Sequence, residues 1–498
     1  MKQLALICCI PVFGYAQSKT EYSWNNLPKI AQPVFKKDTV SIVKYGAVGD
    51  GVVLNTASIN KAIAECSRKG GGVVLVPGGI WLTGPIEMKS NVNLHVSRTA
   101  VLLFTGDKTQ YALVDGYYEG KYSARNQSPI WAKNQENIAI TGSGVIDGNG
   151  DVWRALHKGQ VTESFWKRKI ASGGVLSADG KKWYPSEQFK KASEGGRSML
   201  LEGGKKLEEF EDMKDFLRPN LLVFNNCKKV LLEGVTFQNS GAWCLHPLMS
   251  QDVTLRNLII RNPEYSHNGD GVDVESCRNF LIEGCTFDVG DDAICIKSGK
   301  DEEGRKRGMP CENGIVRNNV VYKGHGGFVV GSEMSGGARN IFVYDCTFIG
   351  TDKGLRFKST RGRGGVVEKI YAKNIFMKDI EQEAIFFDLY YLLKFATDGV
   401  RKVDSTFSEA TPVFRDMQFE DIICVGAKKG IFIRGLPESP IENIRLKNMV
   451  LTTDIGAEMK DAKNITLTGI KLNSEKKPEI SVVSSTGITV DGKSYDKK

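Results

Sequence analysis

The 498-residue sequence predicts an all-β chain wound as a parallel β-helix, and three observations carry that expectation. From Leu221 onward one short pattern recurs, the spacing of its equivalent positions is too short for a helical crossover, and one amphipathic helix near the start has the make-up of an end cap. The recurring pattern reads NCKKVLLEGVTF, SQDVTLRNLII, SCRNFLIEGCTF, CENGIVRNNVVY, ARNIFVYDCTF, VEKIYAKNIFM, IENIRLKNMVL and AKNITLTGIKL. In each, alternating apolar residues suit a half-buried strand, and an Asn, Asp or Gly marks a turn before a second short strand. With Val230, Val253 and Phe280 equivalent, the repeats are 23 and 27 residues apart. That length fits one turn of a strand solenoid with no helix of its own. Asn at equivalent turns can form hydrogen-bonded ladders, and successive strands should lie about 4.8 Å apart.

A solenoid must cover its open ends. In NTASINKAIAECSRKGGG, residues Ile59, Ala62, Ile63 and Cys66 share one helix face, Asn55 or Thr56 can cap the start, and Gly70 can end it. This helix is expected to plug the N-terminal end. The glycines 70 to 72 are not followed by Gly-Lys-Ser/Thr, so they read as a turn and not as a phosphate loop. The repeats stop between Gly148 and Arg218, leaving a Lys-rich insertion, 151–217, with Trp153, Trp166, Trp183 and Tyr184. Excursions of this length are usually functional or disordered, and this one is a candidate wall for a binding cleft.

The first residues, MKQLALICCIPVFGYA, have the layout of a cleavable secretory signal over 1–16, which predicts a secreted or periplasmic protein. Ile7 before Cys8 argues against a lipid anchor. A lead-in over 17–40 and one β-helix catalytic domain over 41–498 follow. No other apolar run is long enough to span a bilayer. The formal charge of +9, lowered by one without the leader, suits a polyanionic partner. Basic and aromatic residues do not interleave as nucleic-acid binding would require, and the five histidines lack metal-ligand spacing. No cofactor, no metal and a monomer are expected. The nine remaining cysteines read mostly as small core residues, with room for one or two disulfides.

The chemistry concentrates in one strand register. DGVDVES from Asp270, DAICIKS from Asp292, GGFVVGS from Gly326 and KGLRFKS from Lys353 align residue for residue. Their inward positions are apolar, so the alternate positions, Asp273, Glu275, Lys297, Arg356 and Lys358, are expected to face solvent. The leading edge carries Asp270, Asp291, Asp292 and His325. Asp270 and Asp292 would lie one coil apart, near enough to hold a water, and their charges should raise the pKa of Asp291. Glycosidic cleavage needs one carboxylic acid that keeps its proton and another carboxylate that activates water. Arg356 and Lys358 suit a sugar carboxylate, which implies an acidic sugar.

At these residues the sequence resembles the polygalacturonase family, glycoside hydrolase family 28. The family's Asn-Thr-Asp-Gly appears as Asn268-Gly269-Asp270-Gly271, its Gly-Asp-Asp as Gly290-Asp291-Asp292, its Gly-His-Gly as Gly324-His325-Gly326, and its Arg-Ile-Lys as Arg356-Phe357-Lys358. The resemblance implies a right-handed, pectin-lyase-like parallel β-helix that hydrolyses α-1,4 galacturonosidic bonds of pectin with inversion. It implies Asp291 as general acid, Asp270 and Asp292 as holders of the water, and His325 as the residue that tunes or positions the acid. Arg356 and Lys358, with Asn268 and Lys297, would bind galacturonate. Tyr390 or Tyr391 would fill the place of a later-coil aromatic, core packing being the alternative. The insertion 151–217, a second at Lys300 to Pro310 and the wording HNGDGVDVESC are similar to bacterial members that trim chain ends, with His246 lining the pocket. The departures are Gly269 for Thr, Phe357 for Ile, and Ala293 where several relatives have Cys, so no disulfide is expected there. Alternatives are a rhamnogalacturonan hydrolase, a pectate lyase with a calcium cage, and a non-catalytic β-helix that only binds glycans.

Overall fold

In the computed structural model, which describes residues 21–391 and 406–495, strands of a single large sheet coil into a right-handed parallel β-helix. The leader 1–16 lies outside the described residues. Helix α1 (Thr56–Arg68) buries Ile59, Ala62, Ile63 and Cys66 on the first coil, as expected for an end plug. The Asn55 side chain does not cap it; it bonds the backbone of Val48, Val53 and Leu82 instead. At the other end, Lys493–Ser494 turns back antiparallel to Thr489–Val490, which interrupts the parallel stack.

The repeats pair in the expected register: Val230 with Val253, and Val253 with Phe280. Turn residues Asn279, Asn313 and Asn340 take left-handed φ values of 59°, 59° and 55°. Asn tolerates this conformation, and their amides bond rung to rung at 3.2 and 3.1 Å. One face stacks β1 (Leu245–Leu248), β2 (Val272–Glu275), β3 (Asp292–Lys297), β4 (Gly326–Gly331) and β5 (Lys353–Lys358). Pairs Val272–Ile294, Ile294–Phe328 and Phe328–Leu355 run down the interior. Each such side chain contributes about 1.5–3 kcal/mol by leaving water. Phe357 stacks on Phe387 at 4.5 Å. Gly314 makes room for another ring, since a Cβ there would meet Phe280 at 2.0 Å.

One reading holds and one expectation fails. All nine cysteines of the described residues are buried and free; they pack as small apolar groups, and no disulfide forms. The alternate positions of the stack do not face solvent: Asp273 and Glu275 are 0% exposed, and Lys297 and Lys358 are buried. Arg307 of α4 (Asp301–Arg307) reaches Glu275 at 2.6 Å, Trp243 lies over Lys297 and Tyr391 over Lys358, and an insertion not foreseen from the sequence, the hairpin of Leu113–Tyr118 and Lys121–Asn126, packs on Trp243 through Tyr118. Before α4, insertion 151–217 folds into α2 (Glu163–Ala171), α3 (Glu187–Glu194) and a three-stranded antiparallel sheet, with Leu156, Trp166 and Trp183 as a small core.

Candidate active site

The register places Asp292 opposite Gly326, and Gly271 N–H donates to the Asp292 carbonyl at 2.9 Å. Asp270 and Asp292 therefore lie on adjacent rungs, and Asp291 sits on the turn beside them. One oxygen from each of the three carboxylates lies within 4.8 Å of the others. The turns that present them need glycine. A Cβ on Gly290 would fall 2.4 Å from Ser266 Oγ, and one on Gly269 would fall 1.9 Å from the same atom. Ser266 thus accounts for Gly269 at the position where the family motif carries Thr.

Asp292 is buried and doubly paired: Arg356 donates to Oδ1 at 2.9 Å and Lys358 to Oδ2 at 2.7 Å. Burial alone would raise its pKa, but Lys358, Arg356 and Lys297 outweigh it and hold the carboxyl far below the ordinary range. Asp291 is nearer the surface. Its Oδ1 meets His325 Nδ1 at 3.0 Å and accepts the Asp292 N–H at 2.9 Å. Burial works against ionisation here too, yet the His325 hydrogen bond brings Asp291 below its usual value. Asp270 moves the other way. Burial and the neighbouring Asp273 and Asp291 drive its pKa well upward, as burial also drives that of Asp273, and the Asp270 Oδ1 has no hydrogen-bond partner among the described residues. The expectation that crowding raises Asp291 is thus corrected: burial and crowding raise Asp270 and Asp273, while the His325 bond keeps Asp291 low. His325 is raised in turn, chiefly by its bond to Asp291, and its Nε2 lies 3.8 Å from Asp352.

Three substrate-binding expectations change place. Tyr390 packs between Arg361 and Arg434, at 5.3 and 5.0 Å, and it is Tyr391 that faces Lys358 at 4.9 Å and Arg356 at 5.7 Å. His246 is 0% exposed, bonded to Glu275 at 2.9 Å and Asn220 at 3.2 Å, so it lies beneath the site and lines no pocket. Lys297 directs its ammonium to Glu333 at 2.9 Å and Asp273 at 3.5 Å, under the Trp243 ring. Asn268 remains at the rim, its Oδ1 held by Arg218 at 2.8 Å. Arg218, Glu333, Asp352 and Tyr391 were not singled out from the sequence as site residues, except Tyr391 as an alternative. Glu333 was within reach, for it follows the GGFVVGS rung directly.

The three carboxylates also meet the distance condition for a cation. Their donor set does not suit one, because both oxygens of Asp292 already receive hydrogen bonds from cationic side chains and Asp270 favours its neutral form. Arg356 Nε, buried and without a hydrogen-bond partner among the described residues, is a donor suited to an anionic ligand.

A clustered acid trio, one member pushed toward its neutral form by burial and one clamped by Arg and Lys, mounted on a parallel β-helix, is the apparatus of a glycoside hydrolase. The profile of glycosyl hydrolases family 28 matches residues 163–474, and the chain belongs to that family. A second profile, rhamnogalacturonase A/epimerase, pectate lyase-like, matches residues 39–166. A hyperthermoactive exopolygalacturonase from Thermotoga maritima is 31% identical, with a TM-score of 0.69 over 93% of this chain and 94% of that one. The exo-poly-alpha-D-galacturonosidase of Dickeya chrysanthemi is 27% identical over 96% of this chain and 78% of its own. The family 28 exopolygalacturonase of Yersinia enterocolitica shares the fold, with a TM-score of 0.73 and 24% identity over 92% of this chain and 79% of that one.

Proposed function

We propose that the protein hydrolyses α-1,4-linked galacturonan from a chain end, with inversion, through Asp270, Asp291 and Asp292. The observation that carries this reading is the trio itself, gathered within 4.8 Å with Asp292 clamped by Arg356 and Lys358. Asp291 is the member nearest solvent and takes the role of general acid. A sugar carboxylate bound at Arg356, Lys358 and Tyr391 adds negative charge and excludes water, both of which raise the proton affinity of Asp291. The proton held by Asp270 then moves across the cluster to Asp291 and on to the leaving oxygen. Asp292, ionised at the outset, accepts a proton from the attacking water, which Asp270 helps to place, and that proton returns to Asp270 to reset the trio.

The spacing is closer than the roughly 6.5–9.5 Å of a simple inverting pair. Nucleophilic attack by the protein is nevertheless disfavoured here. Asp292 shares both oxygens with cations, and Asp270 is buried and favours its neutral form. Water is the remaining nucleophile.

Chain-end action is supported by what covers β1 and β2. Tyr118 of the hairpin packs on Trp243 at 5.1 Å, and Arg307 of α4 lies over Tyr117 at 4.4 Å and bonds Glu275 at 2.6 Å. These insertions wall the N-terminal side, so a polymer would enter from the other. We take 41–498 to work as one catalytic unit, monomeric and exported by the 1–16 leader. Early-time NMR of the products from oligogalacturonides tests the reading: monomer should appear first, as the inverted anomer. A ladder of oligomers would replace chain-end with internal cleavage, and unsaturated ends would remove hydrolysis.

A further inference from the structure

The residues that open the catalytic rungs form a column of their own. Asp291 directly precedes β3, His325 precedes β4 and Asp352 precedes β5. Backbone bonds hold the three on successive coils: His325 N–H donates to the Asp291 carbonyl at 2.9 Å, and Asp352 N–H donates to the Gly324 carbonyl at 3.0 Å. Gly324 permits the close approach, since at its φ of 148° a Cβ would fall 2.7 Å from the Asp291 carbonyl oxygen. The imidazole is thus bracketed by carboxylates, with Asp291 3.0 Å from Nδ1 and Asp352 3.8 Å from Nε2. On the following coil the column continues as Gln382, which carries no charge and donates its N–H to the Asp352 carbonyl at 2.8 Å.

The other charges around the ring are engaged elsewhere. Asp292 is clamped by Arg356 and Lys358, and Arg356 also donates to the His325 carbonyl at 3.2 Å. Glu264 and Glu381 line the same recess of about 70 Å³, but they face Lys323 at 3.8 and 4.0 Å. Lys353, next to Asp352 in the chain, turns to Glu383 at 3.0 Å. Asp352 itself has no lysine or arginine at ion-pair distance among the described residues, so its charge is left to the imidazole.

We propose that Asp352 is a positioning residue for the hydrolytic step: it holds the His325 ring with Nε2–H toward itself and Nδ1 toward Asp291, and so fixes the form in which His325 acts on the general acid. The catalytic consequence rests on the reading of Asp291 given above. A neutral imidazole has two tautomers, and the partner at one nitrogen decides which the other nitrogen meets. A negative charge beyond Nε2 favours the proton there, which leaves Nδ1 free to exchange one with Asp291. Asp352 also adds to the rise in the proton affinity of His325, behind the larger effect of Asp291. At 3.8 Å the contact is ionic and not a hydrogen bond, so its effect is modest and weakens with salt.

The test begins with a measurement that needs no turnover. The titration midpoint of His325, followed by NMR of the imidazole, should fall by about half a pH unit in Asp352→Asn at low salt and by less at high salt. On polygalacturonate, kcat should fall a few-fold in Asp352→Asn with KM unchanged, whereas the same substitution in a His325→Gln background should change neither. An unmoved midpoint overturns the proposal. So does an equal loss of kcat in both backgrounds, because Asp352 would then act without the imidazole. A parent that releases no sugar overturns the hydrolase reading instead, and the titration still decides whether Asp352 governs the ring.

Discussion

Two stacks of the same solenoid use charge in opposite ways. On the face formed by Lys228–Glu233, Gln251–Arg256, Arg278–Glu283 and Cys311–Arg317, the outward register reads Glu233, Arg256, Glu283, Arg317. Acid and base alternate, each pairs with the rung above or below at 3.4, 2.6 and 2.6 Å, and side-chain exposures run from 15 to 38%. On the catalytic stack, acids gather on adjacent rungs, cations follow two or three coils later, and the hairpin and α4 shut water out. Both stacks bury the same apolar pattern inside. Only the second concentrates like charge, and only there do the pKa values of neighbouring carboxyls move apart in opposite directions, with Asp270 up and Asp292 down. A ladder that cancels rung by rung leaves no carboxyl pushed toward its neutral form; a column that does not cancel sets a raised and a lowered carboxyl side by side.

The contrast can be broken most severely at Lys358. Lys358→Ala leaves Asp292 buried with Arg356 as the one cation bonded to its oxygens among the described residues, beside the weak Cys295 thiol donor, and stability should fall by about 3–5 kcal/mol, measurable by urea denaturation. The corresponding change on the other stack, Arg256→Ala, should cost less than about 1 kcal/mol and leave sugar release unaltered. Between these lies His325→Gln. The imidazole lowers the pKa of Asp291 and is itself raised. Without it Asp291 holds its proton to higher pH, so the alkaline limb of the activity profile should move upward while kcat falls about tenfold to a hundredfold. The pair's contribution to folding follows the same groups. It is full below the unfolded pKa of histidine, lost as pH rises through the raised value of His325, and lost again as pH falls through the lowered value of Asp291. The smallest effect concerns metal: a chelator should leave the rate unchanged, whereas a calcium-dependent eliminase would stop.

The coil register was legible in the sequence because it repeats. Val230, Val253 and Phe280, the four aligned rungs from Asp270 to Lys358 and the Asn ladder all follow from local alternation and turn residues. What covers the catalytic stack was not legible, because that depends on contacts far apart in the chain, such as Gly120 with Lys300 and Tyr122 with Glu303. This is why Asp273, Glu275, Lys297 and His246 were placed at the surface. The hairpin itself had left a signal. Tyr118 and Lys121 flank Glu119-Gly120, whose φ values of 48° and 72° make the tight turn that joins two strands. Tyr390 and Tyr391 differ by one position after a strand end, and alternation cannot choose between them once the strand has stopped. Crowding says that acids in the cluster are pushed toward the neutral form, and only the position of His325 says that Asp291 is not one of them.

The central claim is that the trio keeps a proton and delivers it through Asp291. The direct test is the rate of reducing-sugar release from polygalacturonate by Asp291→Asn, with circular dichroism to confirm that the coil stack is intact. The account predicts a loss of about 10²- to 10⁴-fold with an unchanged fold. A correctly folded Asp291→Asn that hydrolyses as fast as the parent would contradict it.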